Sequence, residues 1–276
     1  MYKGYIVDDF DECFDFDDIE ESVTDEIIDL SEDQEHVYSV NEEFSSCLDK
    51  FILKGSVNKD LLLDGTKIIN DYFPEIKADI FISHSHKDVK KAKQFANLIH
   101  WKTGLKSFID SEVWQYADSL LKEIDKNCKR RDGLYDYNKR NISTSYVHMM
   151  LNTALLSMID KCECLFFLST PNSFETVNEI KNSTFSPWIY SELSMANSIE
   201  KKIPKRLKAI NKSLIESSIN FSAEYGQEDM KIVLKPKIEN LIGCDFSTVE
   251  NWLENCDYSK KESNLDGLYE STKYFE

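Results

Sequence analysis

Between residues 78 and 202, short apolar runs alternate with longer stretches in which apolar residues recur at helical spacing. The runs at 80–82, 105–110 and 162–168 each lead into polar residues, a pattern typical of strands buried in a parallel sheet. The stretch at 88–102 places its apolar residues on one helical face. Strands alternating with helices predict βαβ units, so we expect an α/β, flavodoxin-like domain with a central parallel sheet and helices on both faces.

The same patterns divide the chain into three parts. They predict a helical hairpin at 37–72, helices at 146–160, 187–202 and 247–255, and candidate strands at 207–210 and 232–234. Residues 111–144 interrupt the alternation as an insertion with a helical run and a basic turn. We therefore expect an acidic, partly helical N-terminal extension (1–75), the sheet domain (76–245), and a C-terminal helix with a polar tail (246–276).

The charge of the chain is concentrated at its beginning. The formal net charge of the 276 residues is −17, and the first 50 residues hold 18 Asp and Glu against Lys3 and Lys50. The remaining residues are nearly neutral, with 31 basic against 32 acidic side chains. Such an acidic segment disfavours nucleic acid or an anionic membrane as its partner.

Membrane, secretory and metal-binding classes are all disfavoured. The chain has no run of about 18 apolar residues and no basic, apolar signal sequence, so we expect a cytoplasmic protein. The seven cysteines are an odd set without CxxC spacing, and the five histidines form no HxxxH pattern. Reduced cysteines and no metal site are therefore expected.

Polar side chains follow two of the predicted strands. Ser83, His84 and Ser85 follow the first strand, Asp110 ends the second, and Trp114 lies shortly after it. Parallel sheets bind ligands at the carboxyl ends of their strands. These residues are candidates for a ligand site, in which Trp114 can stack on a base or a nicotinamide ring.

A carboxylate lies one turn into the helix predicted at 187–202. Ser186 is a suitable N-cap, Pro187 suits the first turn, and Trp188 and Glu192 share a face because they are four residues apart. In an arbitrary helix this pair would be a solvated glutamate beside a core tryptophan. Because the helix follows a strand-end loop, Glu192 is a candidate catalytic residue.

Two motifs resemble those of Toll/interleukin-1 receptor (TIR) domains. Asp79-Ile-Phe-Ile-Ser-His-Ser-His-Lys-Asp88 resembles their first strand and loop, and Trp188-x-x-x-Glu192 resembles the catalytic helix of TIR domains that consume NAD. The resemblance implies that Glu192 is catalytic and that NAD is a substrate, with no cofactor. The side chains that would hold NAD are Phe81, Ser83, His84, Ser85, Asp110, Trp114, His148 and Trp188.

Three further segments resemble TIR proteins of the Thoeris antiphage systems. They are residues 143–150, which include His148, residues 108–111 together with Trp114, and residues 167–173. The resemblance implies an enzyme that responds to a phage trigger, self-associates, and converts NAD into an ADP-ribose-derived signal. That signal, cyclic or conjugated to an amino acid, would activate a separate effector protein.

Two other functions remain open, and two common nucleotide-binding classes are disfavoured. The chain could be a TIR scaffold without turnover, or an enzyme resembling nucleoside deoxyribosyltransferases, which use a glutamate at a sugar C1 on a similar sheet. No GxGxxG follows a predicted strand, and no GxxxxGK[ST] is present. A redox role for NAD and a phosphate-loop ATPase are therefore disfavoured.

Overall fold

A five-stranded parallel sheet forms the centre of the molecule in the computed structural model. The structure describes residues 1–10, 48–52, 62–113, 117–130, 132–177, 180–208 and 232–273. The sheet order is β3-β2-β4-β1-β7, with β1 at Lys3–Asp8, β2 at Ile80–Ser83, β3 at Ser107–Phe108, β4 at Cys164–Leu168 and β7 at Ile242–Asp245. Strands β5 (Glu175–Val177) and β6 (Ile180–Ser183) form a separate antiparallel pair. The predicted α/β fold with a parallel sheet is confirmed.

Helices cover both faces of the sheet. Their bounds are α1 Gly65–Tyr72, α2 Val89–Thr103, α3 Asp110–Val113, α4 Ala117–Asp125, α5 Tyr137–Lys161, α6 Pro187–Ser198, α7 Phe246–Glu254 and α8 Lys261–Ser271. One apolar core lies between the sheet and α1, α4, α5 and α6, and a second lies between the sheet and α2, α7 and α8. Because strand side chains alternate, Ile80 and Ile82 enter the second core while Phe81 enters the first.

The N-terminal strand corrects the expected domain boundary. Strand β1 pairs in parallel with both β4 and β7, and Tyr5 and Val7 are fully buried. Residues 3–8 therefore belong to the sheet, although 1–75 was expected to be an extension outside it. The short apolar run Tyr5-Ile6-Val7 was hidden among acidic neighbours. Most of the acidic segment, residues 11–47, lies outside the described residues.

Several other elements differ from the expected ones. Helix α5 begins at Tyr137, so much of the expected insertion is helical, and β7 was not predicted. In the candidate strand at 207–210, Leu207 ends a 3-10 turn that spans Lys205–Leu207. In the candidate at 232–234, Leu234 makes only an isolated bridge to Thr184. Residues 209–210 and the first arm of the hairpin at 37–47 lie outside the described residues.

The C-terminal part is a pair of helices, α7 and α8, where one helix followed by a polar tail was expected. Helix α8 buries Leu265, Leu268 and Tyr269, and the Tyr269 hydroxyl donates to Glu163 at 3.0 Å. The remaining positions of α8 are mostly polar, so its apolar face was not recognised from the sequence. The C-terminal helices therefore complete one face of the sheet.

The order of β2, β3 and β4 creates a crevice. The chain passes from β2 to β3 on one side and then returns to β4 on the other side of β2. Open α/β sheets bind ligands beside such a reversal, outside the carboxyl ends of the strands. Ser83, His84 and Asp110 follow β2 and β3 at this edge.

Candidate functional site

A cleft of about 380 Å³ opens at this edge of the sheet. Its walls come from the loops after β2 and β3 and from α4, α5 and α6. The lining residues are His84, His86, Asp110, Ser111, Ala117, Asp118, Leu151, Leu155, Ser186, Trp188 and Glu192. Ligand pockets range from about 300 to 1,000 Å³, so this cleft suits a small molecule or one end of a larger one.

Glu192 lies at the base of the cleft and is held there by Ser83. The Ser186 hydroxyl accepts from the Ile189 amide at 3.3 Å, as expected of the cap of α6. Two turns of helix then carry Glu192 against the sheet, where only 2% of it is exposed. The Ser83 Oγ donates to Glu192 Oε2 at 2.5 Å. Glu192 is thus buried, unlike the solvated glutamate of an arbitrary helix.

The carboxyl groups of Glu192 and Asp110 form a pair. A hydrogen bond joins them, and such a bond requires a proton on one of the two. Burial, and then the charge of Asp110, raise the pKa of Glu192 well above its ordinary value of 4.5. Burial also raises the pKa of Asp110, whereas nearby His84 opposes that change. Glu192 is therefore the member of the pair that tends to carry the proton.

His84 is fixed by its neighbours at the side of the cleft. Its Nδ1 lies 3.3 Å from the Ile82 carbonyl oxygen and 3.9 Å from Asp110 Oδ1, and its Nε2 lies 2.8 Å from Ser111 Oγ. A carbonyl oxygen only accepts, so Nδ1 is the donor to Ile82. Both ring nitrogens are engaged, so the imidazole is held in place beside Asp110.

Trp188 forms an aromatic wall above Glu192. The ring centroids of Trp188 and His148 are 5.3 Å apart at an interplanar angle of 72°, an edge-to-face contact. His148 is exposed and is not among the lining residues of the cleft. Its contact therefore supports the indole from behind.

The remaining expected ligand contacts fall in other places. Phe81 is fully buried and its ring centroid lies 5.4 Å from that of Phe108, so it packs in the core and does not contact the cleft. Ser85 is buried and caps the turn at His86–Asp88. Trp114 lies outside the described residues. In short, the structure brings together His84, Asp110, Trp188 and Glu192, with Ser83 directly behind.

Asp88 links the loop after β2 to the loop after β4. It immediately precedes α2, but its side chain makes no capping bond to that helix. Instead, Thr170 Oγ1 donates to its Oδ2 at 2.6 Å and Asn172 Nδ2 donates to its Oδ1 at 2.8 Å. Asp88 is 2% exposed. This buried junction fixes the two loops on either side of the crevice.

Four polar lining residues were missed as ligand contacts: His86, Ser111, Asp118 and Ser186. The apolar lining residues Ala117, Leu151 and Leu155 were not predicted either. The strand-end rule could have found His86 and Ser111, which lie directly after candidate residues. Asp118 enters the cleft because α4 folds over the edge of the sheet, and no local pattern signals that placement.

Three comparisons with known proteins add no further assignment. No family model, no curated protein and no solved structure matches the chain. Within the described residues, no group of three or more His, Cys, Asp or Glu side chains is placed to hold a metal ion. No helix in the part of the chain that the structure describes is long and apolar enough to cross a membrane.

The side chains that line the cleft determine which chemistry it can support. A buried carboxyl group lies below an aromatic wall, close to a second carboxyl group and beside a fixed imidazole. Such a group, when ionised, stabilises positive charge that develops near it, because the surroundings screen the interaction less than water does.

Proposed function

We propose that the chain is a TIR-type enzyme that cleaves the bond between nicotinamide and ribose in NAD. The observation that supports this most is the placement of Glu192, buried at the carboxyl edge of the sheet, bonded to Ser83 and lying below Trp188. It accords with the resemblance of Trp188-x-x-x-Glu192 and of the β2 loop to NAD-consuming TIR domains.

Glu192 would act by stabilising charge. The bond between ribose C1′ and the nicotinamide nitrogen breaks, its electron pair leaves with the nitrogen, and an oxocarbenium-like ribose results, as in glycoside hydrolysis. Nicotinamide leaves as a neutral molecule, so no general acid is required. Ionised Glu192 would stabilise the positive charge until water or another nucleophile attacks C1′ and loses its proton.

The carboxyl pair would link this chemistry to substrate entry. A proton held by Glu192 leaves it unable to stabilise a cation. The nicotinamide ring of NAD is itself positive, and a positive charge within a few ångströms favours the ionised form of a carboxyl group. Substrate binding would therefore release the proton from the pair.

In biological terms, the product would be an ADP-ribose-derived signal in bacterial antiphage defence. As the Thoeris resemblance implies, the partners would be NAD, a separate effector that responds to the signal, a phage-derived trigger and further copies of the chain. Because unrestrained loss of NAD would kill its host, the isolated protein would be nearly inactive until assembly or a trigger activates it.

One observation favours a second candidate. Paired carboxyl groups also suit nucleoside deoxyribosyl transfer. Ionised Glu192 would attack the sugar C1 while the base leaves with the electron pair of the C1–N bond, and protonated Asp110 would donate its proton to the leaving base. A scaffold without turnover is the third possibility. Measuring nicotinamide release from NAD beside base exchange on deoxynucleosides separates all three, provided that the protein is concentrated enough to assemble or is supplied with extract of phage-infected cells. We expect nicotinamide release alone, whereas base exchange alone, or neither reaction, would contradict the proposal.

A further inference from the structure

The described walls of the cleft carry carboxyl groups and no permanently positive side chain. Asp110, Asp118 and Glu192 line it, and no lysine or arginine is among its described lining residues. Like charges repel strongly in a partly dry cleft, and walls of one sign concentrate ions of the other sign. The cleft therefore favours a cationic group and disfavours a diphosphate.

NAD has one end that fits this description. Its nicotinamide ring is a cation attached to an uncharged ribose, and the diphosphate follows beyond that ribose. A cation is also attracted to the face of an indole such as that of Trp188. The volume of about 380 Å³ lies near the lower end for ligand pockets. The cleft thus matches the nicotinamide–ribose end of the dinucleotide and leaves the diphosphate at its mouth.

Among the described lining residues, His86 is the exposed one that can donate a hydrogen bond to that diphosphate. It is exposed, and it follows β2 on the loop that also carries His84. An imidazole offers an N–H donor in every protonation state. The nitrogens of His84, by contrast, already contact Ile82 and Ser111. We propose, resting on the proposed function, that His86 determines specificity by binding the substrate diphosphate while the cleft admits only the cationic nucleoside end.

The experiment compares three ligands on the full-length protein. Calorimetry gives the affinities for NAD, for nicotinamide riboside, which lacks phosphate, and for ADP-ribose, which lacks the cationic ring, while nicotinamide release is followed in the same samples. The variants are His86→Ala, His86→Lys and, as a matched control, Lys87→Ala. Lys87 is exposed beside His86 but does not line the cleft.

We expect His86→Ala to weaken NAD binding about three- to tenfold, the loss of one hydrogen bond to a charged group at an exposed site. Nicotinamide riboside should bind the variant as it binds the wild type, and His86→Lys should restore NAD binding. Lys87→Ala should leave both ligands unaffected. ADP-ribose should bind the wild type at least about tenfold more weakly than NAD, because it lacks the cation.

The outcomes distinguish this inference from the proposed function. Equal weakening of NAD and the riboside by His86→Ala, no weakening of either, or stronger binding of ADP-ribose than of NAD would each overturn it. Failure of all three ligands to bind would overturn it too. If the expected pattern appears but no condition releases nicotinamide, the cleft assignment stands and the proposed function fails.

Discussion

At the residue scale, the contact between Asp110 and Glu192 sets the pH at which Glu192 ionises. The charge of Asp110 raises the Glu192 pKa. Replacing Asp110 with Asn removes that charge, so the Glu192 pKa should fall. If ionised Glu192 is required, the pH at which nicotinamide release reaches half its maximum on the acid side should move to lower values.

The matched control for Asp110→Asn is Asp118→Asn, which changes another carboxylate of the same cleft without breaking the pair. It should move the acid-side midpoint less than Asp110→Asn does. The measurement is a pH–rate profile of each variant under the condition that activates the wild type. A midpoint that stays fixed, or moves upward, in Asp110→Asn would show that the pair does not control the reaction.

Burial of Glu192 also affects stability. Its pKa in the folded state is raised above the ordinary 4.5, so the folded protein holds this proton more tightly than the unfolded chain. The resulting stabilisation is complete below pH 4.5 and is lost as the pH rises through the folded pKa. Glu192→Gln has no such loss, so it should be more stable than the wild type at pH 8.

Urea unfolding of the wild type and Glu192→Gln at pH 5 and pH 8 measures this difference. The advantage of the variant should shrink at pH 5. A variant that is less stable than the wild type at pH 8 would indicate that ionised Glu192 makes favourable contacts beyond the bond from Ser83.

The residue scale also shows why the site could be predicted only in part. Glu192, Trp188, His84 and Asp110 follow from strand ends and helix spacing, which are local properties of the sequence. The pairing of Asp110 with Glu192 is not local, because it depends on how α6 packs against β2. Phe81 was predicted to contact the ligand but packs in the core. The alternation of side chains along a strand does not show which face of the sheet a ligand contacts.

At the element scale, the buried carboxylate of Asp88 connects two loops of the sheet edge. Asp88→Ala would leave the Thr170 hydroxyl and the Asn172 amide without their acceptor. Thr170 is buried, and a buried unsatisfied group costs about 1–3 kcal/mol, whereas the exposed Asn172 can bond to water. The unfolding free energy should therefore fall by about 1–3 kcal/mol. Asp88→Asn keeps one acceptor oxygen and should lose about half as much.

Urea unfolding curves of the wild type and the two Asp88 variants test this junction. If Asp88→Ala lowers the unfolding free energy by less than about 0.5 kcal/mol, its effect is that of an ordinary surface substitution. The junction would then have no structural role. Combining Asp88→Ala with Thr170→Ala should cost less than the sum of the single changes, since the two residues share a bond.

The elements that were predicted correctly have strong local signals. Helix α2 has one apolar face, and Gly104 ends it in the left-handed conformation with φ 71°, which glycine adopts without strain. The first half of α5 lacks such a face because Tyr137, Ile142 and Tyr146 are exposed there. Strand β7 has only four residues, two of them exposed. Neither pattern could be recognised without the tertiary packing.

At the scale of the whole molecule, β1 ties the N-terminus into the centre of the sheet. Deleting residues 1–10 removes the strand between β4 and β7 and three side chains that are fully buried, Tyr5, Val7 and Phe10. We expect this deletion to abolish cooperative unfolding. Changing the Asp and Glu residues of segment 11–43 to Asn and Gln, with β1 kept, should preserve it.

Thermal unfolding followed by circular dichroism distinguishes the two N-terminal variants. A deletion variant that unfolds like the wild type would contradict the assignment of β1 to the sheet. Loss of folding in the neutralised variant would show instead that the fold depends on the acidic side chains themselves.

The most direct test of the central claim is the NAD and nicotinamide content of bacteria that produce the chain, measured before and after phage infection. Parallel cultures produce the wild type or Glu192→Gln, and the purified variant is confirmed as folded by circular dichroism. In infected bacteria that produce the wild-type protein, we expect the NAD content to fall and the nicotinamide content to rise. In infected bacteria that produce Glu192→Gln, both should stay unchanged. Equal loss of NAD with a folded Glu192→Gln protein, or no loss with the wild type either in infected cells or as concentrated purified protein, would contradict the account.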